Sequence, residues 1–151
     1  MRSGPPANHE HADRNSVILK YRGEILLTDS KRPTYDTKNP GWLLRTAEAH
    51  NTLLIDGQGH PYHDGSAGTN ASEAAAEIVR HGERPGYVYW TSDATQAHAL
   101  ADPDVASVTR SVFVFREIPF ILILDKVLKS EKPSEIAARW FVENSDREGT
   151  V

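Results

Sequence analysis

The chain has no cysteine, so disulfides and thiolate metal sites are both excluded. It has no basic run, and its formal charge is −4, which argues against nucleic acid as a partner. A polyanion would need a local basic cleft. No window approaches 18 apolar residues, so no helix of the sequence is expected to span a membrane. The opening Met1-Arg2-Ser3-Gly4-Pro5-Pro6 lacks the apolar stretch of a secretory leader. What is present suits one folded domain. With 151 residues, 38% hydrophobic and 25% charged, the chain is long enough for a core and too apolar for a disordered segment.

The densest chemistry lies in Asn8-His9-Glu10-His11-Ala12-Asp13-Arg14-Asn15, just before the apolar Val17-Ile18-Leu19. In an extended segment His9 and His11 share one face, with Glu10 on the other. Two imidazoles on one face can hold a metal, or divide between metal and substrate. Two exposed histidines in a polar loop would leave the same trace. A chain that opens abruptly on such a motif reads as a fragment of something longer.

Short β-type runs follow. Ser16 to Tyr21 and Glu24 to Asp29 read as a hairpin about Arg22-Gly23. Residues 30–48 read as a long irregular connection, and 57–70 as a Gly-rich loop. Thr52 to Asp56, Tyr87 to Thr91, Val108 to Arg116 and Glu135 to Val142 read as strands. Ser72 to Arg80 is ambiguous, with strand favoured for its second half; Thr95 to Leu100 fits a strand or one helical turn. Ile118 to Leu128 should pair with Val108 to Arg116. Its Ile121-Leu122-Ile123-Leu124, apolar on both faces, places it centrally. Eight or so strands at this spacing predict an all-β, antiparallel β-sandwich.

Other positions carry possible chemistry. Asp29 ends an apolar strand, and His50 precedes Leu53-Leu54-Ile55. With His11 they make a two-nitrogen, one-oxygen set that suits zinc. A turn cap and a backbone-bonded histidine are the plainer readings. Tyr35 sits in the long loop between Arg32 and Arg45, whose guanidinium groups can bind a carboxylate or serve as plain surface charge. Trp42 suits the rim, or a stack on a sugar. His60 and His63 are a weak second metal pair, and His81 and His98 read as surface. His9, His11 and Asp13 also match an H-x-H-x-D opening of metallo-β-lactamase-type hydrolases, but Arg14 stands where that pattern continues with histidine, and the required helices are missing.

Taken in order, Asn8 to Ser16, then Gly23-Glu24-Ile25-Leu26-Leu27-Thr28-Asp29, then Arg45-Thr46-Ala47-Glu48-Ala49-His50-Asn51-Thr52, then Asp56-Gly57-Gln58 resemble the C-terminal domain of heparinase II/III-like polysaccharide lyases. The resemblance covers most of residues 1–151. It implies a β-sandwich that follows an N-terminal α/α toroid, and a cleft where an acidic polysaccharide is cut by β-elimination. It implies His9 and Tyr35 as catalytic residues; Arg32, Arg45 and Trp42, read from their own chemistry, are the substrate-binding candidates. It implies His11, Asp29 and His50 as ligands of one structural zinc, and a periplasmic or secreted location. There is no room for the toroid, so the chain alone is expected to lack a complete active site. Two rival readings stay open. One is a non-catalytic carbohydrate-binding or metal-stabilised module. The other is a cupin-like metal enzyme in which His9 and His11 both bind metal.

Overall fold

The computed structural model describes residues 1–7, 9–29, 32–65 and 69–143; Asn8 of the opening motif lies outside them. The fold is an all-β antiparallel sandwich. The first hairpin pairs β1 (Leu19–Tyr21) with β2 (Glu24–Leu27). Its turn residues Arg22 and Gly23 both have positive φ, 51° and 91°, as a two-residue turn matched to strand twist requires. β3 (Leu53–Ile55) pairs with β8 (Ile136–Ala138). The large sheet has the order β4 (Glu77–Arg84), β5 (Tyr87–Asp93), β6 (Val105–Phe115), β7 (Ile121–Lys129). One short helix, α1 (Thr95–Ala99), links β5 to β6. Ala94, just before it, and its Ala97 pack on Ala74 and Ala76, small side chains that let the backbones approach.

The apolar run of β3 is buried on both sides. Alternate side chains of a strand face opposite ways. Leu53 and Ile55 pack on Val105, Val108 and Val127 of the large sheet. Leu54 faces away and packs with Ala12, Ala47 and Tyr62. The His-rich segment and the loops around it therefore form a layer on the outer side of β3 and β8.

β7 corrects one expectation. It does pair with β6, but it is the edge strand, not a central one. Leu124 is 50% exposed. By register, Leu122 lies beside Phe113 and Leu124 beside Ser111, so they extend the ring strip of Tyr87, Tyr89, Phe113 and Phe115 across one sheet face. Apolar residues on both faces of a strand report what lies above and below it, not its place in the sheet.

The layers are tied by buried polar groups. Asn51 donates to the carbonyls of Val17 (2.9 Å) and Thr28 (2.6 Å) and accepts from the Phe141 amide (2.6 Å). Arg110 is fully buried in β6. It donates to the Asn15 and Asn51 carbonyls and forms a two-pronged pair with Asp125, at 2.7 and 2.9 Å. A desolvated guanidinium needs this full set of acceptors.

Candidate functional site

The His9 backbone is left-handed, with φ 61°. This breaks the alternation expected of an extended segment, so His9 and His11 do not act as a same-face pair. His9 meets Tyr35: the Tyr35 hydroxyl lies 3.4 Å from Nδ1, with the rings edge to face. His11 instead lies against His50, their ring centres 5.2 Å apart. The segment is held from several sides. The Ala12 amide donates to the Arg45 carbonyl and the Arg14 amide to Nε2 of His60, both at 2.8 Å. The buried Arg14 guanidinium bonds Glu10, Pro5 O and Ala74 O, and Arg2 also pairs with Glu10.

His50 is fully buried. Its Nδ1 is 2.5 Å from Asp29 Oδ1, and its Nε2 is buried with no hydrogen-bond partner among the described residues. Burial, with help from His50 and Arg45, pushes His11 down to about 4, so its imidazole is neutral at pH 7. Burial raises Asp13 nearby. Two adjacent imidazoles, that of His50 with an orphaned buried nitrogen, fit a metal in their chemistry. Their present arrangement is looser than a closed site. Among the described residues, no group of three or more His, Cys, Asp or Glu side chains is disposed to hold an ion. Asp29 touches His50 itself and not a point shared by all three, so a three-ligand set requires it to swing off Nδ1. In its present place it orients the His50 ring, as carboxylates behind metal-binding histidines do.

Beside these groups lies an aromatic box. The sequence Asn39-Pro40 starts a 3-10 helix, Pro40–Arg45, with the Asn39 side chain accepting from the Gly41 amide and proline in its first turn. The helix sends Arg45 inward. Arg45 is 2% exposed, which removes the surface-charge reading. Its guanidinium lies between Tyr35 and Trp42, 4.6 Å from each ring centre, and donates to the Thr34 carbonyl at 3.0 and 3.3 Å. Tyr62 closes the box, edge-on to Trp42 at 5.8 Å and hydrogen-bonded to Arg45. Arg32 is exposed, and no contact joins it to the box among the described residues.

The chain matches the family described as Heparinase II/III-like, C-terminal, over residues 1–147. It belongs to that family. No curated protein matches it. No helix among the described residues is long and apolar enough to cross a membrane.

For this heparinase II/III-like domain, the structure brings His9, Tyr35, Trp42 and Arg45 into one cluster and His11, Asp29 and His50 into a neighbouring one. Two sequence readings need correction. His98 is not a surface residue. It is 2% exposed, with its ring 5.8 Å from that of His60, because α1 turns it inward. His60 and His63 do not form a pair, since His60 is buried and bonded to Arg14 while His63 is exposed. Tyr62 was the residue missed. Its only signal was an aromatic in a Gly-rich loop. Gly59 explains that composition: a Cβ there would stand 2.0 Å from the Ala47 Cβ, so the loop packs flat against the site.

Proposed function

We propose that this domain supplies one wall of the active site of a polysaccharide lyase that cuts a uronic-acid glycan by β-elimination. The observation that carries the reading is the approach of Tyr35 to His9 beside the Arg45 box, in a chain of the heparinase II/III-like family. In the reaction a base takes the C5 proton of the uronate. The electron pair forms the C4–C5 double bond, the C4–O4 bond breaks, and the leaving oxygen takes a proton. His9 faces the uronate and assists removal of the C5 proton, and Tyr35 gives the proton to the leaving oxygen. Arg45 fixes positive charge nearby. Trp42 offers a ring to the sugar, and exposed Arg32 reaches the glycan carboxylates. A zinc ion held by His11 and His50, with Asp29 turned to join them, would pin the segments that carry His9 and Tyr35. Its contribution is structural.

An N-terminal helical toroid, acting in the periplasm or outside the cell, completes the cleft. The test is turnover of uronate polysaccharides, followed by absorbance of the unsaturated product. The domain joined to a toroid of the family should be active, and the domain alone inactive. Cleavage by the domain alone, or glycan binding without cleavage by the joined protein, would overturn the reading; the second result would make the domain a binding module.

A further inference from the structure

We infer that Tyr62 is a positioning residue of the candidate site: it holds the Arg45 guanidinium between Tyr35 and Trp42 and so fixes where the Tyr35 hydroxyl meets His9. The inference rests on the lyase reading only for what the site binds. Its own ground is geometric.

Three segments meet at Tyr62. Its ring packs against Ala12, Ala47 and Leu54, under the residues that separate His11 from Asp13 and that precede His50. Its edge meets Trp42. Its hydroxyl bonds the Arg45 guanidinium, and burial raises it above the ordinary tyrosine range. The loop that carries Tyr62 is itself seated firmly. Gly59 rests on Ala47, and His60 takes the Arg14 amide proton. Tyr62 therefore acts from a fixed base.

The box shows what that base controls. The Arg45 fork donates to the Thr34 carbonyl, one residue before Tyr35, and the guanidinium plane supports the Tyr35 ring. Tyr35 itself is 53% exposed, so few other contacts restrain it. Stacking and two bonds that converge on one oxygen, that of Thr34, leave the guanidinium free to pivot about that atom in the ring plane. The hydrogen bond to Tyr62 removes that freedom. Without the Tyr62 hydroxyl, Arg45 stays buried but loses its orientation, and Tyr35 loses its register with His9.

The test is Tyr62→Phe in the full 151-residue chain. It keeps the ring packing and removes only the hydroxyl. The ligand-free readout is the set of Arg45 side-chain proton signals, which the flanking Tyr35 and Trp42 rings shift upfield. These shifts should collapse toward ordinary arginine values while the thermal midpoint falls by only a few degrees, about the loss of one hydrogen bond. Affinity for alginate-derived and heparan-sulfate-derived tetrasaccharides should fall roughly tenfold as Arg45 and Tyr35 lose their place in the site. Tyr62→Leu, which fills the apolar contact without ring or hydroxyl, should lose the same signals. Arg45 shifts retained in both variants would overturn the inference, whatever the glycans do. Collapsed shifts in a protein that binds neither glycan would leave it standing and remove the substrate reading instead.

Discussion

Asp29 and His50 meet at 2.5 Å through Oδ1 and Nδ1, and this contact leaves Nε2 as the imidazole's second donor atom, buried beside His11. His9 is turned away toward Tyr35. The two histidines of the opening motif therefore have separate work. On the proposed reading the purified domain takes up one zinc. His11→Ala and His50→Ala should lose it, and His9→Ala should keep it. Metal analysis after dialysis checks this, with chelation expected to lower the thermal midpoint of wild type and of H9A alone. Loss of metal in His9→Ala would favour the cupin-like alternative.

His9 and Tyr35 should matter for turnover and little for stability, since both side chains are exposed. In the domain joined to its toroid, His9→Ala and Tyr35→Phe should each lower kcat by about 10²- to 10⁴-fold, the usual range for a proton-transfer group. Tyr35→Phe keeps the ring that lies over Arg45, so KM should change little. Initial rates on a uronate polymer decide the matter. A variant of near-normal rate would remove that residue from the chemistry.

Asn51 and Arg110 carry the architecture. Asn51→Ala strips the Val17 and Thr28 carbonyls of a donor and the Phe141 amide of its acceptor, the first bond buried and the other two half-buried. The expected loss is about 3 kcal/mol or more. Asp125→Ala leaves the fully buried Arg110 without its carboxylate, at a cost of about 3–5 kcal/mol. Urea unfolding with an unchanged slope measures both. Values under about 1 kcal/mol would mean that water replaces these bonds easily.

Much of this was legible in the sequence, for identifiable reasons. Arg22-Gly23 between apolar runs marks a hairpin because its backbone must turn left-handed. Leu53-Leu54-Ile55 marks a strand by its apolar run, and the structure covers it on both sides. The order of motifs groups Asp29 and His50 with His11 as ligands of one ion, but nothing in it says that Asp29 meets His50 directly. What the sequence hides is where loops fold back. Nothing local says that Arg45 points inward, since its acceptor is the backbone of Thr34, eleven residues away. Nothing local marks Tyr62 as a neighbour of Trp42. The edge position of β7 depends on topology that composition does not encode. His98 looked like a surface residue because one polar letter in a short helix says nothing of the face it occupies.

His60 and His98 give the domain a pH dependence whose sign is set by burial. Desolvation pushes His60 down to about 3 and His98 down to about 4, from an ordinary value of 6.5. His60 also accepts the Arg14 amide proton on Nε2, a bond that protonation there would destroy. Below pH 6.5 the unfolded chain binds protons at these rings that the folded chain refuses. Their contribution to stability is therefore complete above pH 6.5. It is lost steadily as the pH falls, down to about pH 3, where folded His60 titrates as well. Urea midpoints at pH 7, 5.5 and 4.5 should fall in that order for the wild type. In His60→Gln/His98→Gln the pH 7 midpoint is lower but the decline is flatter, because neither glutamine titrates. A decline as steep in the double variant as in the wild type would assign the acid sensitivity to the carboxylates and not to this buried pair.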